Sequence, residues 1–248
     1  MTKTEFIYGY QPLKEIIRHQ PKRIQRVFLQ QQKGNERIQE VLEWALAAKL
    51  TVQWIARPEL DRLLGTTHHQ GMAIQCQSIS ALPESMLSDL LEDKSKPLLL
   101  LILDGIQDPH NLGACIRSAN AMGVDAVIAP KDRAAGLTDV VHKTASGATA
   151  VTPFIQVTNL ARTLREIKKH GVWLVGMDAE AKATLDSLDP GPRVALIMGA
   201  EGAGMRRLTT EQCDFLARIP MRGTVESLNV SVATAIALYA LQLKLSQN

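Results

Sequence analysis

Residues 108–124 read DPHNLGACIRSANAMGV and follow the apolar run LLLLILDGI at 98–106. The junction gathers His110, Asn111, Arg117, Ser118 and Asn120 among small residues, Gly113, Ala114, Ala119, Ala121 and Gly123. A helix cap accounts for Asp108 and Pro109, an aspartate N-cap followed by proline at the first helical position. Capping leaves Asn111 and Arg117 unexplained. An arginine so placed can grip a phosphate with its planar fork or stabilise a developing oxyanion. The run of small residues implies that something packs very close to this helix.

Two further polar junctions follow. MGAEGAGM (198–205) has its glycines spaced GxxGxG. The dinucleotide fingerprint is GxGxxG after a first strand, so a nicotinamide site is a poor match. Glu201 would repel a phosphate and suits a ligand with a positive centre or a hydroxyl. In IPMRGTVESLNVS (219–231), Ser227, Asn229 and Ser231 open a helix rich in small residues. A serine N-cap with polar neighbours explains them as well as a site does.

The elements that must position these groups fall into two sets. In the first third, 13–19 and 37–49 carry apolar residues at helical spacing, while 24–30, 51–56 and 71–76 alternate as half-buried strands. That is a small α/β unit over 1–78. Residues 79–97, ISALPESMLSDLLEDKSKP, read as a linker holding a short amphipathic helix. From 98 to 248 the strands become continuously apolar: 98–106, 124–130, 172–177 and 194–199. Helices are expected at 109–123, 138–149, 159–171 and 227–247. Apolar strands alternating with helices define an α/β fold with a parallel sheet covered on both faces, and ligands gather at the carboxyl ends of such strands. By pattern alone this is a doubly wound sheet.

Of the 248 residues, 46% are hydrophobic and 21% charged, as in globular proteins generally. No apolar run approaches the roughly 20 residues that span a bilayer, and MTKTEFIYGY lacks the order of a signal peptide. Cys76, Cys115 and Cys213 stand far apart with no metal spacing, so they read as reduced thiols of a cytoplasmic protein, with no metal site. The net charge of +3 is concentrated early: residues 1–78 hold 11 Lys and Arg against 7 Asp and Glu. Such an excess is either a solvated face or a surface that collects a polyanion such as RNA. Arg18, Lys22, Arg23 and Arg26, with His68 and His69, are the candidate RNA contacts there. Trp44 and Trp54 read as core residues.

Taken together, NLGACIRS, LIMGAEGAGM and IPM…SLNVSVATA resemble the three ordered motifs of the SpoU family, S-adenosylmethionine-dependent RNA 2′-O-ribose methyltransferases of the SPOUT superfamily. The resemblance runs through 98–248. IYGYQPLKEII (7–17) and HHQGMAIQ (68–75) are similar to the L30e-like substrate-binding domain of members that methylate a guanosine of 23S rRNA. The resemblance implies a C-terminal domain with a deep trefoil knot, preceded by the small L30e-like domain. It also implies S-adenosyl-L-methionine as cofactor, 23S rRNA as substrate and a homodimer. Met198, Gly199, Ile219, Met221, Ser227 and Leu228 fall where the family holds the cofactor. Asn111, Arg117, Glu201, Ser227 and Asn229 fall at the reacting end.

A literal arginine base is costly. Neutralising a group with a pKa above 12 near pH 7 takes on the order of 7 kcal/mol. Arg117 is therefore expected to pin a phosphate and stabilise the oxyanion, in its own site or across the dimer. The alternatives are 2′-O-methylation of tRNA, by members that generally lack the N-terminal domain, and an RNA-binding assembly protein without catalysis.

Overall fold

The computed structural model describes residues 4–31, 35–77, 81–225 and 227–245. Its contacts divide into two units, Met1–Ser80 with Ala145–Val151, and Ala81–Thr144 with Thr152–Asn248.

The first unit runs β1 (Thr4–Tyr8), α1 (Tyr10–His19), β2 (Ile24–Gln30), α2 (Glu36–Ala47), β3 (Val52–Ile55), α3 (Arg57–Leu64) and β4 (Met72–Gln77). The sheet order is β1-β4-β2-β3, with β4 antiparallel to both neighbours and β2 parallel to β3. Alternation along β2 sends Val27 and Leu29 into a cluster with Leu13, Ile16, Ile38 and Val41 of α1 and α2. Phe28 points the other way, to Ile55 and to Leu60 of α3. Helices therefore cover both faces. Neither β1 nor α3 was expected from the sequence. Trp44 is half-buried, its ring 5.6 Å from that of Tyr10. Trp54 is not core: it lies on edge strand β3 with 44% of its surface exposed.

The second unit runs α4 (Ser85–Glu92), β5 (Leu98–Asp104), α5 (Pro109–Ala121), β6 (Ala126–Pro130), α6 (Asp139–Thr144), β7 (Phe154–Val157), α7 (Leu160–Lys169), β8 (Trp173–Met177), β9 (Ala183–Thr184), β10 (Arg193–Gly199), α8 (Arg207–Thr210), β11 (Phe215–Arg218) and α9 (Val230–Leu245). Seven strands form one sheet in the order β7-β6-β5-β10-β8-β11-β9, every pairing parallel. All seven residues of β5 are buried, as a central parallel strand requires. Leu100 and Ile102 pack with Leu164 and Ile167 of α7 and with Leu87 and Leu91 of α4. The helix expected inside 79–97 is thus α4, and it contributes to this core. Buried Arg193 holds it there, donating to the main-chain oxygens of Leu91, Asp93 and Lys96 at 2.7–3.2 Å.

On the other layer α5 packs against both α6 and α9. A Cβ on Gly113 would stand 2.7 Å from Thr144 Cβ and 2.9 Å from the Val141 carbonyl oxygen. Gly113→Ala gains about 1 kcal/mol of helix propensity but meets backbone, and overpacking costs about 1–3 kcal/mol. Net destabilisation in denaturant unfolding is the expected result. The helix expected at 138–149 stops at Thr144, because Ser146 and Gly147 turn left-handed at φ 50° and 93°. The C-terminal helix begins at Val230, not 227, and residues 246–247 of that expectation lie outside the described residues. Burial pushes the Cys76 thiol up to about 12 and those of Cys115 and Cys213 up to about 11, so all three stay protonated at neutral pH.

Candidate active site

Strand order reverses between β5 and β10. From β5 the sheet grows outward through β6 and β7, whereas β10 inserts between β5 and β8. Such a reversal opens a crevice at the carboxyl ends of the strands. Gly199, the last residue of β10, pairs with Asp104, the last of β5. Three loops emerge there, 105–108 into α5, 200–206 after β10 and 219–229 after β11.

Each loop has a local cause. Asp108 caps α5, its Oδ1 accepting the His110 amide at 2.9 Å. The 200–206 loop folds back on itself, with Ala200 and Gly204 exchanging main-chain hydrogen bonds of 3.0 and 2.8 Å. A Cβ on Gly199 would lie 2.1 Å from Gly204 C and 2.2 Å from Met205 N, so only glycine leaves room for the fold-back. Asn229, rather than a serine, caps α9: its Oδ1 accepts the Ser231 amide at 2.9 Å and the Ser231 hydroxyl at 2.6 Å.

That cap sets a direction. With its oxygen taken, Asn229 donates through Nδ2 to Asn111 Oδ1 at 3.0 Å. Asn111 must then present its own Nδ2, which reaches Glu201 Oε2 at 3.5 Å. Three residues, one from the first turn of α5 and two from loops, 90 and 118 positions away from it in sequence, form one polar chain ending on a carboxylate.

Arg117 does not join it. It is exposed and makes no hydrogen bond or ion pair among the described residues. Six residues of α-helix also rotate it by about 240° from Asn111. Ser227 and Met221 are exposed, Ile219 and Leu228 half-buried, all on the loop after β11. Met198 is buried at the end of β10. β10 and β11 flank β8, about 10 Å apart.

Asp104 escaped the sequence reading. It is 1% exposed; Oδ2 accepts the Arg206 amide at 2.8 Å, and Oδ1 lies 3.5 Å from Arg206 Nε, an ion pair rather than a hydrogen bond. It ties the far end of the 200–206 loop to β5. Its signal was present: a carboxylate closing a wholly apolar strand.

In the first unit the candidate RNA contacts are mostly engaged. The Arg18 guanidinium sits 5.2 Å over the Trp44 ring, Arg23 pairs with Glu5 at 3.3 Å, and Arg26 donates to Gln53 at 2.9 Å. Lys22 and His68 are exposed. His69 is 1% exposed, with Nε2 2.6 Å from Asp61 Oδ1 and Nδ1 accepting the Gly71 amide at 2.9 Å, so it holds a turn and does not face solvent. Among the described residues no group of three His, Cys, Asp or Glu could hold a metal ion, and no helix is long and apolar enough to cross a membrane.

The fold and site thus define an α/β protein with a polar cluster at the switch point of a parallel sheet. Residues 98–239 match the SpoU rRNA methylase family and residues 6–81 match the RNA 2′-O ribose methyltransferase substrate-binding family. The chain belongs to the SpoU rRNA methylase family. It is 50% identical over 98% of its length to the 23S rRNA (guanosine-2′-O-)-methyltransferase RlmB of Coxiella burnetii, covering 96% of that protein. With the RlmB of Pseudomonas aeruginosa identity is 48%, covering 96% of each chain. Among solved structures, the SpoU methyltransferase AviRb of Streptomyces viridochromogenes, in complex with AdoMet, shares the fold at a TM-score of 0.79 and 20% identity, over 99% of this chain and 92% of that one.

Proposed function

We propose that this protein transfers a methyl group from S-adenosyl-L-methionine to the ribose 2′-hydroxyl of a guanosine in 23S rRNA, in the cytoplasm and as a homodimer. Near-full-length identity of 50% to a protein named for that reaction carries the reading. The family's knotted backbone belongs to the same reading, with 200–206 and 219–229 as the loops that grip the cofactor.

The residues fit the cofactor. Met198, Gly199, Ile219, Met221, Ser227 and Leu228 are uncharged, so main-chain groups must do the recognising. Among the described residues the amides of Ile219, Met221 and Leu228 donate to no protein acceptor, which leaves them for a neutral heterocycle. When bound, S-adenosyl-L-methionine supplies a methyl group on a cationic sulfur. Glu201 carries the negative charge that suits such a centre, and the Asn229–Asn111 chain reaches its carboxylate through a long contact of 3.5 Å. Asn111, Asn229 and Ser227 orient the ribose, so that the 2′-oxygen is held in line with its target. Arg117 binds the neighbouring phosphate and stabilises the oxygen as it loses its proton.

The homodimer is supported by α9. Val232, Ile236, Tyr239 and Leu243 follow one another at helical spacing and are 41–56% exposed. Burying such side chains is worth roughly 1.5–3 kcal/mol each when complete. A second copy laid against this stripe would cover it.

The test is incubation with methyl-labelled S-adenosyl-L-methionine and separate 23S rRNA and tRNA pools. Label recovered as 2′-O-methylguanosine from 23S rRNA is expected. Label in tRNA alone would move the substrate, and none in either pool would leave an RNA-binding protein.

A further inference from the structure

The first unit contains a polar cavity of about 230 Å³, far larger than the roughly 30 Å³ share of one water. It lies at the carboxyl ends of the parallel pair β2 and β3, whose last residues Gln30 and Ile55 are in register. α3 starts two residues after β3 ends, and α2 is the next described element after β2, so Asn35, Arg37 and Arg57 at the two helix starts lie around one cavity. Arg37, in the first turn of α2, and Arg57, at the first position of α3, both line the cavity, facing Thr67 and Gln70. Among the described residues no carboxylate lines it. Two guanidiniums and two helix N-termini make it a place where an anion can be held.

The hydrogen-bonding groups are donors as well. Gln70 adopts φ 56°, a left-handed conformation uncommon for a side-chain-bearing residue. In it, Gln70 Oε1 accepts the Tyr10 amide at 2.9 Å, which leaves its NH₂ to donate. Asn35 has its oxygen occupied in the same way by the Ile38 amide at 3.3 Å. Arg37 rests 5.4 Å over the Tyr10 ring, and among the described residues neither Arg37 nor Arg57 forms an ion pair. Arg23 and Arg26, by contrast, are already paired or bonded, while Arg18, like Arg37, lies over an aromatic ring.

We infer that this cavity binds a phosphodiester of an unpaired RNA strand, with Arg37 and Arg57 on the phosphate and the carboxamides of Gln30, Asn35 and Gln70 on the adjoining base or ribose. The cavity thereby becomes the RNA anchor of the first unit. The inference rests on the reading of the protein as an enzyme of RNA. Its test uses binding alone, so failure of methyl transfer would count against that reading without disturbing this one.

Full-length protein and an Arg37→Gln/Arg57→Gln double variant are compared by filter binding of 23S rRNA over a salt series. The expected result is at least a ~10-fold loss of affinity at low salt, with the slope of log K against log salt shallower by about 1. Thermal midpoint and S-adenosyl-L-methionine affinity should not change. An Arg37→Lys/Arg57→Lys variant keeps the charge, loses the fork, and should fall between the two. Equal affinity and equal slope for the glutamine variant overturn the inference. So does a loss confined to inorganic phosphate and 5′-GMP with RNA affinity intact, which would assign the cavity to a free nucleotide.

Discussion

Arg117→Ala should lower the rate of methyl transfer to 23S rRNA by about 10²- to 10³-fold, the usual effect of removing one donor to a developing oxyanion, while leaving the affinity for S-adenosyl-L-methionine unchanged. The split follows from its surroundings. Arg117 is exposed on α5 and makes no hydrogen bond or ion pair among the described residues. On the proposed function, loss of the side chain removes RNA phosphate binding and oxyanion stabilisation, and no described contact of the fold is lost with it. Arg117→Lys keeps the charge but not the planar fork, so near-full turnover with unchanged RNA affinity would show that bidentate geometry is unimportant. Asn111 and Arg117 stand about 240° apart around α5, and a mixed dimer decides which subunit the arginine serves. A mixed dimer of one Arg117→Ala chain and one Glu201→Ala chain should retain about half of wild-type activity if Arg117 completes the partner's site. One site then has both residues and the other neither. If Arg117 serves its own site, each site lacks one residue, and the mixed dimer should be as inactive as its parents.

Gly199→Ala should weaken S-adenosyl-L-methionine binding by more than 100-fold, about 2.7 kcal/mol, with a smaller fall in thermal midpoint. The cause is space, not backbone freedom, since Gly199 is not among the glycines at positive φ. The added Cβ would fall 2.1 Å from Gly204 C and 2.6 Å from its carbonyl oxygen. Backbone cannot rotate aside as a side chain can, so the loop must open and give up the Ala200–Gly204 hydrogen bonds. Gly202→Ala is the control. It sits at φ 75° with nothing within 4 Å of an added methyl, so its cost is the left-handed conformation alone, about 1–2 kcal/mol. Isothermal titration should separate the two variants clearly; equal cofactor affinity in both would refute the steric account.

What the residues announced in advance was uneven. The apolar strands were plain because central parallel strands are buried on both faces, and β5 reads as one unbroken run. The Asp108 cap and the close packing at Gly113 were equally legible, since both depend on neighbours in sequence or on residue size. The short strands β7, β9 and β11 were not, because two to four residues carry no usable periodicity. Long-range order was invisible too: nothing in RVALIMG says that it inserts beside LLLLILD. The site followed the same division. Asn111, Glu201 and Asn229 were grouped by resemblance, but only coordinates show the direction of their hydrogen bonds. His69 was grouped with His68 as a candidate RNA contact and is a buried pivot, held by the Asp61 carboxylate eight residues away on α3.

The strand order has a consequence for synthesis. When β5, β6 and β7 have been made, β5 still has one bare edge, and the neighbour that covers it is β10, which begins only at Arg193, 36 residues after β7 ends at Val157. A wholly apolar strand with an open ladder is a template for wrong pairing. Folding of this unit must therefore be delayed or shielded until Arg193–Gly199 has emerged, and the same insertion creates the crevice. The nascent chain is at its most vulnerable just before it becomes able to bind its cofactor.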